Sequence, residues 1–167
     1  DRLRMRFATT APDFNNADMA VTGAGWVVRN GMANIENWAR YSSSYVDSRH
    51  PRTVLAWNAA QLFLIAVDGR SASSIGMTFL ELTEFLTGTL GAVEALALDS
   101  GNSTTLVAGG SLRNRPCDGV ERPVANAVLL LREDSPPQLP FFDAFGRDGR
   151  QFGWIDKFRF NDVREFS

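Results

Sequence analysis

The sequence predicts an α+β domain in which a few helices pack on a mixed, mostly antiparallel and twisted sheet. Short apolar runs rich in β-forming residues are separated by two tight turns, Asn30-Gly31 and Gly109-Gly110. Against these runs, a single stretch shows a strong helical period, and it begins at Thr78. A chain of 167 residues with 44% apolar residues is long and apolar enough to bury a core.

The first element of the predicted sheet is a hairpin. Residues 1–20 are polar and weakly patterned, so we interpret them as a lead-in segment. Residues 21–28 and 32–35 are then two strands joined by the Asn30-Gly31 turn. Residues 36–50 have no sustained period and predict a long surface loop of the kind that overhangs a site.

A strand pair and a helix follow this loop. Residues 53–57 and 62–67 are apolar and β-rich, and they predict an antiparallel pair in the centre of the sheet. Thr78 and Glu81 have the spacing of a capping box, which predicts the main helix over residues 78–86. The apolar side chains of this stretch share one helical face: Phe79, Leu82, Phe85, Leu86 and Leu90.

The rest of the sheet is predicted from shorter runs. Residues 93–98 and 105–108 read as strands, and Gly109-Gly110 turns the second of them into residues 111–113. Residues 114–121 form a loop, and the near-continuous apolar run over residues 124–131 predicts a buried strand.

The domain itself is predicted to cover residues 21–132. Residues 133–167 form a Pro-rich linker and an aromatic C-terminal extension with one strand, residues 154–160. Its aromatic side chains favour packing as core or interface, and a sugar-stacking platform is the alternative: Phe141, Phe142, Phe145, Phe152, Trp154, Phe158 and Phe160.

Charge and composition exclude several classes of function. A net charge of −2 gives no general attraction to nucleic acid. No apolar run is long enough for a transmembrane segment, and Cys117 is the only cysteine, so no internal disulfide forms. The acidic residues lack the spacing of a metal site, so we expect no metal and no cofactor, and surface carboxylates at Asp18, Asp47, Asp118 and Glu121.

Four polar loops hold the residue types that carry chemistry: residues 50–53, 68–70, 99–105 and 114–126. Each follows or flanks a predicted strand, so they are able to converge on one edge of the sheet. Taken alone, Asp-Gly-Arg and Asp-Ser-Gly-Asn favour ordinary turns. His50 is the only histidine and no Gly-x-Ser-x-Gly elbow is present, so a serine-hydrolase triad is disfavoured.

In their order and spacing, these loops resemble the phosphodiester glycosidase family. Pro51-Arg52-Thr53 matches a strand start of that family, and Asp68-Gly69-Arg70 matches its later Asp-Gly-Arg. The similarity runs over about residues 20–131 and includes three more motifs: Gly-Met-Thr-x-x-Glu-Leu at residues 76–82, Leu-Asp-Gly-Gly-Gly-Ser-Ser-Thr at residues 98–105, and the closing Asn-Arg-Pro-x-Asp-Gly-x-Glu-Arg-Pro-Val-x-Asn-Ala at residues 114–127.

Two departures from the family pattern stand out. Ser100 and Asn102 occupy positions where the family usually has glycine, which matters if either position needs a left-handed backbone. In addition, nothing upstream of Val21 resembles the family's earlier Asn-Gly-Gly-Phe-Phe-like motif.

The resemblance implies a hydrolase that cleaves a sugar-1-phosphodiester, for example a secreted enzyme acting on an extracytoplasmic glycan or exopolysaccharide. The leaving group of that reaction is a phosphate ester, already a stable anion, so binding of its charge matters more than protonation. Arginine suits this task because its guanidinium contacts phosphate in bidentate fashion. The candidate contacts to phosphate or substrate are Arg52, Arg70, Arg115, Arg122 and Asn126.

The loop at residues 99–105 carries the other candidates. Its backbone N–H groups and hydroxyls resemble a small anion-binding nest, to which we assign Gly101, Ser103 and Thr104. Asp99 is the candidate nucleophile or general base, with Asp68 as its partner, because oxocarbenium-like transition states are stabilised by nearby carboxylates.

Two further expectations concern the molecule as a whole. A non-catalytic carbohydrate-binding or assembly module on the same scaffold is the alternative function. We also expect the chain to associate with another polypeptide, either a missing N-terminal part or a second copy, because there is no initiator Met and the upstream motif is missing. The alternative to association is that residues 154–160 fold back as an edge strand.

Overall fold

Seven strands and two helices are formed in the computed structural model, which describes residues 21, 23–34, 41–125 and 127–130. The described residues up to Arg122 belong to one compact unit, and those from Pro123 onward belong to a second. The strands of the main sheet are β1 (Gly25–Arg29), β2 (Met32–Ala33), β3 (Arg52–Trp57), β4 (Leu62–Val67) and β5 (Glu94–Ala97). They pair in the order β2-β1-β5-β3-β4, with every pairing antiparallel.

The remaining elements are short, apart from one helix. Strands β6 (Val107–Ala108) and β7 (Ser111–Leu112) form a separate two-stranded sheet. The helices are α1 (Ser43–Val46) and α2 (Phe79–Gly88), and a 3-10 turn spans Gly101–Ser103. An antiparallel sheet with few helices confirms the predicted α+β class.

The first hairpin forms as its turn sequence predicts. Asn30 and Gly31 have φ values of 52° and 73°, the left-handed pair that a two-residue turn between twisted strands requires. Arg29 consequently lies opposite Met32, and Val28 opposite Ala33. The second predicted hairpin is also confirmed, since Gly109 and Gly110 join β6 to β7 with φ values of 60° and 71°.

The pairing of β3 with β4 is confirmed, but its predicted place in the sheet centre is wrong. The register runs from Arg52 opposite Val67 to Trp57 opposite Leu62. Strand β5 is the central strand, whereas β4 is the last strand on its side among those described. Both strands are apolar, so composition alone did not show which of them is central. Their burial differs: every residue of β4 is half-buried, whereas Ala95, Leu96 and Ala97 of β5 are buried.

Helix α2 begins where its capping box predicts. The Thr78 hydroxyl accepts from the Glu81 N–H at 3.1 Å, and the Thr78 N–H donates to the Glu81 carboxylate at 2.9 Å. Its apolar face buries Phe79, Leu82 and Leu86 in a core shared with the sheet residues Val27, Val28, Val54, Ala56, Ala95 and Ala97. The helix therefore covers one face of the sheet.

The predicted buried strand over residues 124–131 is wrong for the part that the structure describes. Residues 124–125 and 127–130 form no strand, and Val124 and Leu130 are 36% and 49% exposed. An apolar run becomes a strand only where another strand pairs with its backbone, and apolar composition does not report that pairing. The linker, the aromatic extension and the strand predicted at residues 154–160 lie outside the described residues. Within the described part, no helix is long and apolar enough to cross a membrane.

Candidate active site

Four polar loops meet at one end of the main sheet. Because β3 is antiparallel to both neighbours, its first residue, Arg52, lies beside Val67 at the end of β4, and Val54 lies beside Ala97 at the end of β5. The loops before β3, after β4 and after β5 are thereby brought together. The loop at residues 114–122 joins them where the Arg115 N–H donates to Asp68 Oδ1 at 2.8 Å.

Close backbone packing at His50 and Pro51 holds these loops. A Cβ on Gly69 would lie 2.6 Å from the Pro51 nitrogen, and one on Gly76 would lie 2.3 Å from the His50 carbonyl oxygen. Gly76 also has a φ of 91°, which favours glycine on conformational grounds. The Gly101 N–H donates to the Pro51 carbonyl at 3.0 Å, so the third loop is fixed to the same point.

Arg52 occupies the interior, so its guanidinium is not exposed for the phosphate contact that the sequence predicted. Its side chain is fully buried, and Nε donates to the Met77 carbonyl at 2.8 Å. Nη2 donates to the carbonyls of Tyr45 at 2.8 Å and Ser48 at 3.0 Å. Arg52 therefore ties the α1 segment and the start of α2 to the first residue of β3.

The charge of Arg52 is buried among aromatic rings and carbonyl groups. Burial lowers the pKa of the Arg52 guanidinium, and the neighbouring charge of Arg70 acts in the same direction. The guanidinium carbon lies 4.6 Å from the ring centre of Phe79 and 5.1 Å from that of Tyr45, where the aromatic faces attract a cation. Nη1 has no hydrogen-bond partner among the described residues.

Arg70 is exposed, and its guanidinium contacts two of these loops. Its Nη1 donates to Asn102 Oδ1 at 2.5 Å, and its Nη2 donates to His50 Nδ1 at 3.1 Å. His50 Nε2 lies 2.9 Å from the Ser44 carbonyl oxygen, which only accepts, so Nε2 carries the proton and Nδ1 accepts from Arg70. The guanidinium is thus held from two sides by loops that are far apart in the sequence.

Asn102 and Asp118 extend this network. Asn102 Nδ2 lies 2.8 and 2.7 Å from the two carboxylate oxygens of Asp118, and Cys117 Sγ lies 3.4 Å from Asn102 Oδ1. Ser100 has a φ of −128°, and Asn102 is absent from the described residues with positive φ, whereas Gly101 between them has a φ of 67°. Only the position that keeps its glycine adopts the left-handed conformation, so both departures from the family pattern fit the loop.

The two candidate catalytic carboxylates lie on adjacent loops. Asp68 is half-buried, and its Oδ1 accepts from the Arg115 N–H at 2.8 Å. Asp99 is exposed, and its Oδ1 accepts from the N–H of the next residue, Ser100, at 2.9 Å. Asp99 is therefore the more accessible of the two.

The predicted anion-binding nest is largely occupied by the protein itself. The N–H groups of Ser100, Gly101 and Thr104 already donate to Asp99, Pro51 and Gly101, respectively. Thr104 is buried and its hydroxyl accepts from the Thr53 hydroxyl at 3.1 Å, so it supports the loop and does not meet solvent. Ser103 is half-buried in the same turn.

The remaining candidates lie on the last loop. Arg115 is exposed and its Nη1 donates to the Ser73 hydroxyl at 3.3 Å, while Arg122 lies exposed at the end of the unit. Asn126 lies outside the described residues. Sequence reasoning did not assign His50, Asn102 or Asp118 to the site. The available signal was that all three fall within the four polar loops, at strand ends that antiparallel pairing brings together.

The chain is similar to known proteins. The family model described as phosphodiester glycosidase matches residues 1–131. The chain belongs to the phosphodiester glycosidase family. Within the family, this phosphodiester glycosidase chain is 27% identical to the catalytic domain of zebrafish N-acetylglucosamine-1-phosphodiester alpha-N-acetylglucosaminidase, solved in a form auto-inhibited by its pro-peptide. That similarity has a TM-score of 0.51 and covers 57% of this chain and 34% of the zebrafish chain.

Two further proteins are similar to parts of this chain. The SPbeta prophage-derived protein YomE of Bacillus subtilis (strain 168) is 28% identical over 129 residues, which cover 75% of this chain and 19% of YomE. A hypothetical protein from Synechocystis is 30% identical with a TM-score of 0.47, over 56% of this chain and 18% of that one. This phosphodiester glycosidase chain therefore spans about a third of the zebrafish structure and about a fifth of the curated relative.

Proposed function

We propose that this phosphodiester glycosidase chain hydrolyses a sugar-1-phosphodiester. The observation that carries the proposal is the exposed guanidinium of Arg70, which lies between loops that also present Asp68 and Asp99. A cation held by loops that also carry carboxylates matches a substrate with an anionic phosphate on one side of the scissile bond and a sugar ring that develops positive charge on the other. Membership of the family supports the same reaction class.

Arg70 binds the phosphate in this proposal. Of the five N–H groups of an arginine, His50 and Asn102 accept from two, so three remain for a ligand. Phosphate oxygens are suited to them because bidentate contacts to an anion are strong and directional. Arg115 and Arg122 are exposed on the neighbouring loop and add positive charge, whereas Arg52 acts from the interior.

Asp99 is the group that acts on the sugar in this proposal. Its exposure leaves the carboxylate open to a ligand, and one oxygen is already oriented by the Ser100 N–H. The carboxylate then serves as nucleophile or as general base toward water at the anomeric carbon. Asp68, which is fixed by Arg115, is the second carboxylate of the site.

The test is hydrolysis of a GlcNAc-1-phosphodiester and of a small panel of other glycosyl phosphodiesters. We expect turnover by the wild-type chain, and we expect Asp99→Asn to lower kcat at least about 100-fold, since charge is lost while shape is kept. Glu84→Gln removes an exposed carboxylate on α2 and serves as the matched control with unchanged kcat. Turnover that survives Asp99→Asn would remove Asp99 from the chemistry, and no turnover on any diester would refute the proposed activity.

A non-catalytic carbohydrate-binding module is the second candidate function. The observation in its favour is that Asn102 fills a family glycine position and already engages Arg70. Glycan binding without turnover in the same assay would support this alternative.

The cellular setting and assembly of the chain belong to the same proposal. An extracytoplasmic glycan, such as a secreted exopolysaccharide, is the substrate class that the family resemblance favours. Because the matched region is 34% of the zebrafish chain, we further propose that the domain works together with additional polypeptide, from its own precursor or from a second copy. Retention of the activity in a secreted fraction would test the location.

A further inference from the structure

Asn102 links a cation to an anion. Its Oδ1 accepts from Arg70 Nη1 at 2.5 Å, and its Nδ2 lies 2.7 and 2.8 Å from the Asp118 oxygens. Arginine only donates hydrogen bonds and an ionised carboxylate only accepts them, so the orientation of the Asn102 amide is fixed by its partners. Bridging Arg70 to Asp118 requires a side chain that both accepts and donates hydrogen bonds. The glycine that the family usually has at this position has no side chain and cannot form the bridge.

The backbone of Arg70 is also held in an uncommon conformation. Its φ is 55°, and Asn30 in the first hairpin is the other non-glycine residue with positive φ in the described ranges. For a side chain with a Cβ, this conformation costs about 1 kcal/mol. The guanidinium then lies over the backbone of Gly101, where an added Cβ would be 3.3 Å from both Nη atoms. The backbone conformation of Arg70, its packing over Gly101 and its hydrogen bond to Asn102 together fix the position of the guanidinium.

We infer that Asn102 is a positioning residue which, braced by the carboxylate of Asp118, holds the Arg70 guanidinium in the orientation that binds the phosphate of the substrate. This inference rests on the proposed function, because it takes Arg70 as the phosphate-binding group. Asn102 acts through Arg70 and does not itself contact the reacting atoms. His50 holds Nη2 of the same guanidinium from the opposite side, so loss of Asn102 frees one side of the arginine and leaves its charge in place.

The experiment measures the dissociation constant of inorganic phosphate by calorimetry on the 167-residue chain. Asn102→Leu keeps most of the side-chain volume and removes both hydrogen-bonding groups. We expect it to bind phosphate about ten-fold more weakly, the ratio equivalent to one charge-assisted hydrogen bond. With substrate, KM should rise by a similar factor while kcat changes little. Arg29→Gln is the control. It removes an exposed positive charge at the end of β1 that lies away from the site, and it should bind phosphate as the wild type does.

A polarity swap separates positioning from a general loss of structure. In the double variant Asn102→Asp with Asp118→Asn, residue 102 still accepts from Arg70. The new amide at residue 118 donates to the new carboxylate at residue 102, and the net charge does not change. We expect this variant to bind phosphate within about three-fold of the wild type. Phosphate binding by Asn102→Leu that equals the wild type, or a swap variant as weak as Asn102→Leu, would overturn the inference.

The outcome is distinguishable from failure of the proposed function. A wild-type chain that binds phosphate but turns over no diester would refute the activity and leave the role of Asn102 standing if the variants behave as expected. A wild-type chain that binds no phosphate would overturn the role of Asn102, whatever the turnover.

Discussion

Arg52 shows how much one side chain contributes to the shape of the site without facing it. Three carbonyl groups from Tyr45, Ser48 and Met77 accept from its guanidinium inside the protein. Those carbonyls belong to the segment before His50 and to Met77, just before the start of α2. Arg52 therefore holds both segments against the first residue of β3. A buried charge is tolerated here because aromatic faces and carbonyl oxygens replace part of its hydration.

Replacing Arg52 by methionine is therefore predicted to destabilise the fold strongly. The substitution fills a similar volume but leaves three carbonyls without their donor, and we expect a loss of about 3 kcal/mol in the free energy of unfolding. Urea denaturation followed by circular dichroism measures it. Arg113→Met, at an exposed arginine on β7's end, is the control and should change stability by about 0.5 kcal/mol or less. Equal losses in both variants would contradict the bracing role.

At the scale of residues, the sequence predicted positions better than roles. A turn sequence after an apolar run placed Asp68 and Arg70 at the end of a strand, and the structure has both directly after β4. Their roles in the site stay predictions. The role of Arg52 was not predictable, because the sequence does not show that its donors reach carbonyls up to 25 residues away. His50 and Asn102 were missed for the same reason: their contacts with Arg70 span 20 and 32 residues.

Helix α2 is fixed at its start by an interaction between two elements. Glu81 closes the capping box with Thr78 and also accepts from Arg49, whose Nε lies 2.9 and 3.0 Å from the two Glu81 oxygens. The hydrogen bond from Arg49, followed by that from the Thr78 N–H, lowers the pKa of the Glu81 carboxyl from 4.5 to about 2. The helix start and the α1 segment are thereby joined through one carboxylate.

This lowered pKa predicts an acid-dependent loss of stability. The Glu81 carboxyl has a lower pKa in the folded chain than in the unfolded chain, so its ionised form stabilises the fold. This contribution to the free energy of unfolding is complete above about pH 4.5 and is lost as the pH falls toward 2. Thermal unfolding of the wild type and Glu81→Gln should therefore differ by a constant amount near neutral pH and converge in that acid window. Glu84→Gln, one turn along the exposed face, should run parallel to the wild type throughout. Parallel curves for Glu81→Gln would contradict the prediction.

Elements were predicted where their signals are local. The capping box fixed the start of α2, and the Asn30-Gly31 turn fixed the first hairpin, because both depend on residues within a few positions of one another. The order of strands depends on pairing between distant segments, so the central place of β5 was not visible. The same reason accounts for the apolar run at residues 124–130, which had the composition of a strand without forming one.

At the scale of the whole molecule, β4 is an edge strand of the described sheet. It is paired with β3 alone among the described strands, and all six of its residues are half-buried. Such an edge presents unpaired backbone groups to other chains. Since the chain spans 34% of the zebrafish relative, further polypeptide is the expected cover.

We therefore expect the isolated chain to associate, with light scattering giving a mass above 18.4 kDa that rises with concentration. Leu64→Lys places a charge on the edge strand, on the face opposite the one formed by Phe63 and Ile65 against the core, and should shift the chain toward monomer. Leu80→Lys, at a leucine that is 56% exposed on α2, is the matched control and should leave the mass unchanged. A wild-type mass of 18.4 kDa at all concentrations would contradict association.

The contacts that hold Arg70 join parts of the chain separated by 20 and 32 residues, and the brace from Asn102 to Asp118 adds a further span of 16. An unfolded chain cannot keep these groups together, so the proposed anion-binding arrangement and the native fold share one equilibrium. By mass action, an anion present at 100 times its dissociation constant would add about 2.7 kcal/mol to the free energy of unfolding. Occupancy of Arg70 by the proposed phosphate ligand and the stability of the folded chain are then linked.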